Sequence, residues 1–110
     1  MAKSLNFNKI KKQYMTVTLP DEGETVLMIG TPTKRILDEF VVLQTSVNNG
    51  VSNDDALDRM FGLCAEIMSF NKGGIKITKE HLENIFDLED ITVFIQAYTE
   101  FITEVMNQKN

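Results

Sequence analysis

From Tyr14 the chain alternates strictly. Tyr14-Met15-Thr16-Val17-Thr18-Leu19 sets Met15, Val17 and Leu19 on one face of a strand and Tyr14, Thr16 and Thr18 on the other. Pro20-Asp21-Glu22-Gly23-Glu24 interrupts the run, and Thr25-Val26-Leu27-Met28-Ile29 resumes it, the pattern of a β-hairpin with a short, solvated, Gly-containing loop. At Gly30-Thr31-Pro32-Thr33 the apolar period changes from 2 to 3.6, and everything downstream reads as helix. Two strands alone are marginal in water, so the hairpin must lean on those helices or on another chain.

Four helices are expected. Thr31 serves as an N-cap and Pro32 as the first helical residue of a helix reaching Val47, with Ile36, Leu37, Phe40, Val41, Leu43 and Val47 on its apolar side. Asn48-Asn49-Gly50 ends it. Ser52 caps a second helix reaching Phe70, whose first turn carries Asp54 and Asp55 where the helix dipole favours acids. At 100° per residue, the apolar positions of this second helix cover an arc of about 220°, far more than a one-sided surface helix needs. Either this helix is central to the fold, the reading that wide apolar arcs favour, or part of its surface is buried by a partner.

Asn71-Lys72-Gly73-Gly74 is the next break, and Ile75-Lys76-Ile77 after it reads as either a connector or a third strand. Thr78 caps a short helix, 79–86, with Ile77 and Leu82 at hydrophobic-staple spacing. Asp87 caps a long one, 88–108, with Phe86 and Ile91 as the matching pair. On the last helix Leu88, Ile91, Phe94, Ile95, Tyr98, Phe101, Ile102, Val105 and Met106 form the core stripe, while Glu89, Val93, Glu100 and Glu104 fall together on another side. Such carboxylates ordinarily keep a surface helix soluble; the sharper reading makes these four the candidate partner contact, an acidic ridge with one apolar residue, suited to a lysine-rich helix. The expected fold is α+β, one domain over 1–110. Residues 1–12 form a basic solvated tail, 14–30 the hairpin and 32–108 a bundle of about four helices packed on it.

Composition removes more functions than it adds. A net charge of −5 is spread unevenly: residues 1–12 hold Lys3, Lys9, Lys11 and Lys12 with no acid, which leaves −9 on the rest. An acidic body is a poor fit to nucleic acid. The longest apolar runs are too short to span a bilayer, and the N-terminus lacks the apolar stretch of a signal peptide. Cys64, the single cysteine, allows no internal disulfide, fits a reducing cytoplasm, and reads as a small core hydrophobe among Leu63, Ala65 and Ile67.

Catalytic candidates are few. Cys64 and His81 are the one formal nucleophile–base pair, but Cys64 lies on the core side of its helix and His81 reads as a surface residue. Neither Glu-x-x-His nor His-x-x-x-His occurs, and Asp54, Asp55 and Asp58 lack the glycine and terminal glutamate of an EF-hand loop. No phosphate-loop pattern accompanies Gly30 or Gly73-Gly74. The residues therefore point to a binding or assembly domain with no catalytic, cofactor or metal site.

The hairpin leading through Ile29-Gly30-Thr31-Pro32-Thr33-Lys34-Arg35-Ile36-Leu37, together with Gly62-Leu63-Cys64-Ala65-Glu66-Ile67-Met68-Ser69, resembles the small tail assembly chaperones of long-tailed (siphovirus-type) phages and prophages of Gram-positive bacteria. The likeness runs from about Tyr14 onward. It implies a non-enzymatic protein of the host bacterial cytoplasm that coats the long helical tape measure protein and helps tail tube subunits assemble around it. No nucleic acid or membrane is involved, and assembly with further copies is left open. The resemblance also implies a longer form made by ribosomal frameshifting: Gln108-Lys109-Asn110 can be encoded CAA AAA AAC, which contains a slippery heptamer. Two rivals stand beside it. A head-tail connector or structural virion protein would be found in purified virions, and a small cytoplasmic regulator that binds protein or nucleic acid would be supported by retention on DNA at physiological salt.

Overall fold

The computed structural model describes residues 5–7, 12–48 and 54–107. Ser52, the Asn49-Gly50 break, Lys3, Lys9, Lys11 and Gln108-Lys109-Asn110 lie outside them, as do the side chains of Val47, Asp54 and Asp55. The described chain is α+β: β1 (Met15–Thr18) and β2 (Val26–Ile29), then α1 (Lys34–Asn48), α2 (Asp54–Ser69), α3 (Lys79–Ile85) and α4 (Leu88–Asn107). The strands pair antiparallel, Met15 with Ile29 through Thr18 with Val26. Leu19, Leu27 and Ile29 turn into the core, with Met15 and Val17 packed at its margin.

The hairpin loop is more ordered than a solvated tip. Asp21 accepts hydrogen bonds from the Thr25 backbone N–H (2.9 Å) and hydroxyl (2.8 Å), and the Glu24 N–H donates to its carbonyl. The left-handed position falls on Glu24, at φ 46°, and not on Gly23. The Leu19 N–H closes the loop onto the Thr25 carbonyl.

The first helix starts later than the Thr31-Pro32 signal predicts. Its cap is Thr33, whose carbonyl accepts from the Leu37 N–H at 2.9 Å and whose Oγ1 faces the Ile36 N–H at 3.4 Å, so Pro32 precedes the cap. Ile36, Phe40 and Leu43 are buried, but Val41 is 52% exposed and leaves the apolar side assigned to it. Lys34–Asp38 and Arg35–Glu39 stitch the outer face at i,i+4 spacing.

Helix α2 is central. It packs against β2, α1, α3 and α4, and buries Met60, Phe61, Cys64, Ala65, Ile67 and Met68. Those six span about 160° of the helix, narrower than the apolar arc of the sequence because Phe70 stands 56% exposed beyond its end and Leu63 and Ala56, on the same margin, are only half-buried. Arg35 reaches across to Glu66, and Lys79 to Asp58, so ion pairs tie α1 and α3 to the rim of α2.

After α2 the chain returns to the sheet. The Gly30 N–H donates to the Phe70 carbonyl and the Lys72 N–H to the Met28 carbonyl, giving an Ile29–Asn71 bridge along the outer edge of β2. Ile75-Lys76-Ile77 is a connector; the strand-like contact falls just upstream of it. Asn71 shapes the turn with its side chain, donating to the Met68 and Ile75 carbonyls and accepting from the Ile75 N–H. Gly74, at φ 71°, takes the left-handed position there. Ser69 Oγ accepts the Ile77 N–H, locking the connector against the end of α2.

Candidate docking surface on the last helix

Helix α4 is defined at its start by a reciprocal cap. The Asp90 N–H donates to Asp87 Oδ1 at 2.8 Å and the Asp87 N–H to Asp90 Oδ2 at 3.0 Å, a capping box in which Asp occupies the usual Glu/Gln position. Thr78 does the corresponding work for α3, accepting the His81 N–H at 3.0 Å. The staple residues Ile77, Leu82 and Ile91 are all buried and Phe86 is packed at the core margin.

The inward face of α4 carries Ile91, Phe94, Ile95, Tyr98 and Ile102, an arc of about 100°. Tyr98 is its anchor. Its ring meets Phe40 of α1 edge-on at 5.2 Å and stacks on Phe94 at 5.8 Å, while Gln44 of α1 donates to Thr99 Oγ1 at 2.7 Å. Leu88 and Met106, placed on the core stripe by periodicity, are 60% and 70% exposed. Both lie at the same margin of the stripe and in the end turns, where a 20-residue helix outruns the elements that could cover it.

The outward face holds the four ridge residues. Glu89, Val93, Glu100 and Glu104 are all exposed, Val93 at 62%. At 100° per residue they fall within about 60° of one another and about 180° from the middle of the buried stripe, and at 1.5 Å per residue they run for about 22 Å. Gln96, exposed, lies on the same strip. Among the described residues no lysine or arginine pairs with these three carboxylates; the lysine and arginine ion pairs use Asp38, Glu39, Asp58 and Glu66, on α1 and α2. The strip also works against its own helix. Glu100 and Glu104 are like charges at i,i+4, and Glu104 stands in a last turn that has no basic residue, where the dipole disfavours an acid.

The groups with chemical potential elsewhere are occupied structurally. Cys64 is fully buried, and burial pushes its thiol up to about 12, so it stays protonated. His81 is engaged away from it: His81 Nε2 lies 3.2 Å from Asp21 Oδ2 and ties α3 to the hairpin loop. The Thr25 N–H and hydroxyl, helped by His81, hold the Asp21 carboxyl below its ordinary value of 3.8. This link corrects the reading of Asp21 as part of a solvated tip. Its signal in the sequence is an Asp four residues before a Thr across a tight loop; the His81 partner, sixty residues on, had no local signal. Among the described residues no group of three His, Cys, Asp or Glu is arranged to hold a metal, and no helix is long and apolar enough to cross a membrane.

The architecture defines the class: a small α+β module, a two-stranded hairpin on four helices, with an acidic strip on the outer face of the last one. Compared with protein-family models, with curated proteins and with solved structures, the chain has no match in any of the three.

Proposed function

We propose that this chain is a non-enzymatic phage tail assembly chaperone, acting in the host bacterial cytoplasm, which binds the tape measure protein through α4 and assists tail tube assembly. The observation that carries the reading is the Glu89-Val93-Glu100-Glu104 strip. It is exposed, faces away from the core, and has no cation from the described residues against it. A lysine-bearing amphipathic helix lying along it would place cations against the three carboxylates and an apolar residue on Val93, with electrostatics setting the register. The sequence likeness around Ile29–Leu37 and Gly62–Ser69 supplies the client's identity.

The test is co-expression with a tape measure protein of a siphovirus-type phage, followed by recovery of the complex. Wild type should retain the long protein in soluble form, and Glu100→Lys with Glu104→Lys should release it. Undiminished retention by the charge-reversed variant removes the ridge as the contact, and recovery of the chain from purified virions replaces the chaperone reading with a structural one.

A further inference from the structure

The sheet has one treated edge and one untreated edge. Along β2, Phe70–Lys72 caps Met28 and Gly30. Along β1 the alternation of the ladder sets the free side: the Leu19–Thr25 pair is hydrogen-bonded, so the Val17–Leu27 and Met15–Ile29 pairs are too, and the N–H and C=O groups of Thr16 and Thr18 point outward. Among the described residues no backbone group meets them. Exposed edges usually carry a lysine, an internal proline or a bulge that prevents pairing, whereas residues 13–19 contain no charge and no proline.

We propose that β1 pairs antiparallel with β1 of a second copy of this chain, about a twofold axis at Val17, to make a continuous four-stranded sheet. The register follows from the outward groups. Only even-numbered residues can form the bonded pairs, and Thr16 opposite Thr18 of the second copy, with its symmetry mate, uses both residues of each strand. Val17 then meets Val17 at the close, non-bonded position, on the face where it packs at the core margin. Charge supports a second copy as the occupant. The chain carries −5, so two copies must meet through a neutral strip, and β1 is one. Antiparallel pairing about Val17 also sets the hairpin tip of each copy, with its exposed Glu22, beside the segment leading into β1 of the other, with its exposed Lys12, an attraction made twice. With β2 already capped, the pairing closes at two copies and does not propagate. It uses no residue of the α4 strip, and stands whatever binds there.

Sedimentation equilibrium of the full chain, with far-UV circular dichroism as the folding control, tests the proposal. Wild type should approach twice the mass of 12.5 kDa as concentration rises. Thr16→Lys with Thr18→Lys places lysine opposite lysine in both bonded pairs and should weaken the dimer about tenfold or more, whereas Thr16→Lys with Thr18→Glu places lysine opposite glutamate and should preserve it. A wild-type chain that stays monomeric at near-millimolar concentration overturns the proposal. So does a dimer indifferent to both variants, or one that the Lys/Glu variant weakens as much as the Lys/Lys variant. Because the Lys/Glu variant is read by its retained dimer, the test survives misfolding of the Lys/Lys chain.

Discussion

Helices α2 and α4 carry apolar residues at similar density but use them differently. In α2 the buried arc is about 160° wide and touches elements on several sides, whereas in α4 it is about 100° wide and the opposite side is a bare acidic strip. The difference separates what holds the fold from what is left to recognise something else. A substitution should therefore be read mainly as lost stability in α2 and mainly as altered recognition on the outside of α4.

The largest effect should come from breaking that division at its centre. Ile67, 1% exposed on α2, should cost about 2–5 kcal/mol when cut to alanine, the transfer loss plus the cavity left behind. Val93→Ala on the α4 strip should stay within about 0.5 kcal/mol. Urea unfolding of both variants checks the pair, and equal losses would erase the distinction.

A helix held on one side depends more on its ends. Asp87→Ala removes one half of the reciprocal cap and leaves the Asp90 N–H without its acceptor, at a cost of about 1 kcal/mol. Amide exchange should show the loss concentrated in the first turns of α4, with α2 little changed.

Acid should act on folding through the hairpin loop. The folded-state pKa of Asp21 lies below its ordinary 3.8, chiefly because the Thr25 N–H and then the Thr25 hydroxyl bond the carboxylate. A depressed carboxylate contributes stability that is present above the unfolded value and is lost as pH falls through the lower folded value. Thermal melts taken from about pH 5 downward should show this loss in wild type, and Asp21→Asn should flatten that part of the profile. An unchanged acid limb would show that the Asp21 bonds to Thr25 and His81 do not couple the loop to folding.

These features differ in how far the sequence reveals them. Period-2 and period-3.6 patterning was enough to order two strands and four helices, because each element buries a face against its neighbours. Thr78 and Asp87 were legible as caps because capping is decided within four residues. The start of α1 was misplaced by two residues because Thr31 and Thr33 carry the same chemistry, and only the path out of β2 selects Thr33. Val41, Leu88 and Met106 satisfy the period yet face solvent, since periodicity records which way a residue points and not whether anything covers it. The His81–Asp21 link and the return of Phe70–Lys72 to the edge of β2 join residues distant in sequence, and no local pattern announces them. That Glu89, Val93, Glu100 and Glu104 share one outward strip is legible, being a property of one helix.

The one expected gain in stability sharpens the comparison most. Glu104 stands in the final turn of α4, where the dipole disfavours it, and one turn from the like charge of Glu100. Glu104→Lys turns both interactions favourable, so folding stability should rise by about 0.3–1 kcal/mol. On α2 no substitution of a buried residue offers such a gain, because its surface is already matched to its surroundings. If the α4 strip is a recognition surface, the same Glu104→Lys change should weaken capture of the helical partner while the melting temperature rises. A variant that becomes more stable and binds equally well would leave Glu104 without a role, and the strip would shorten to Glu89, Val93 and Glu100.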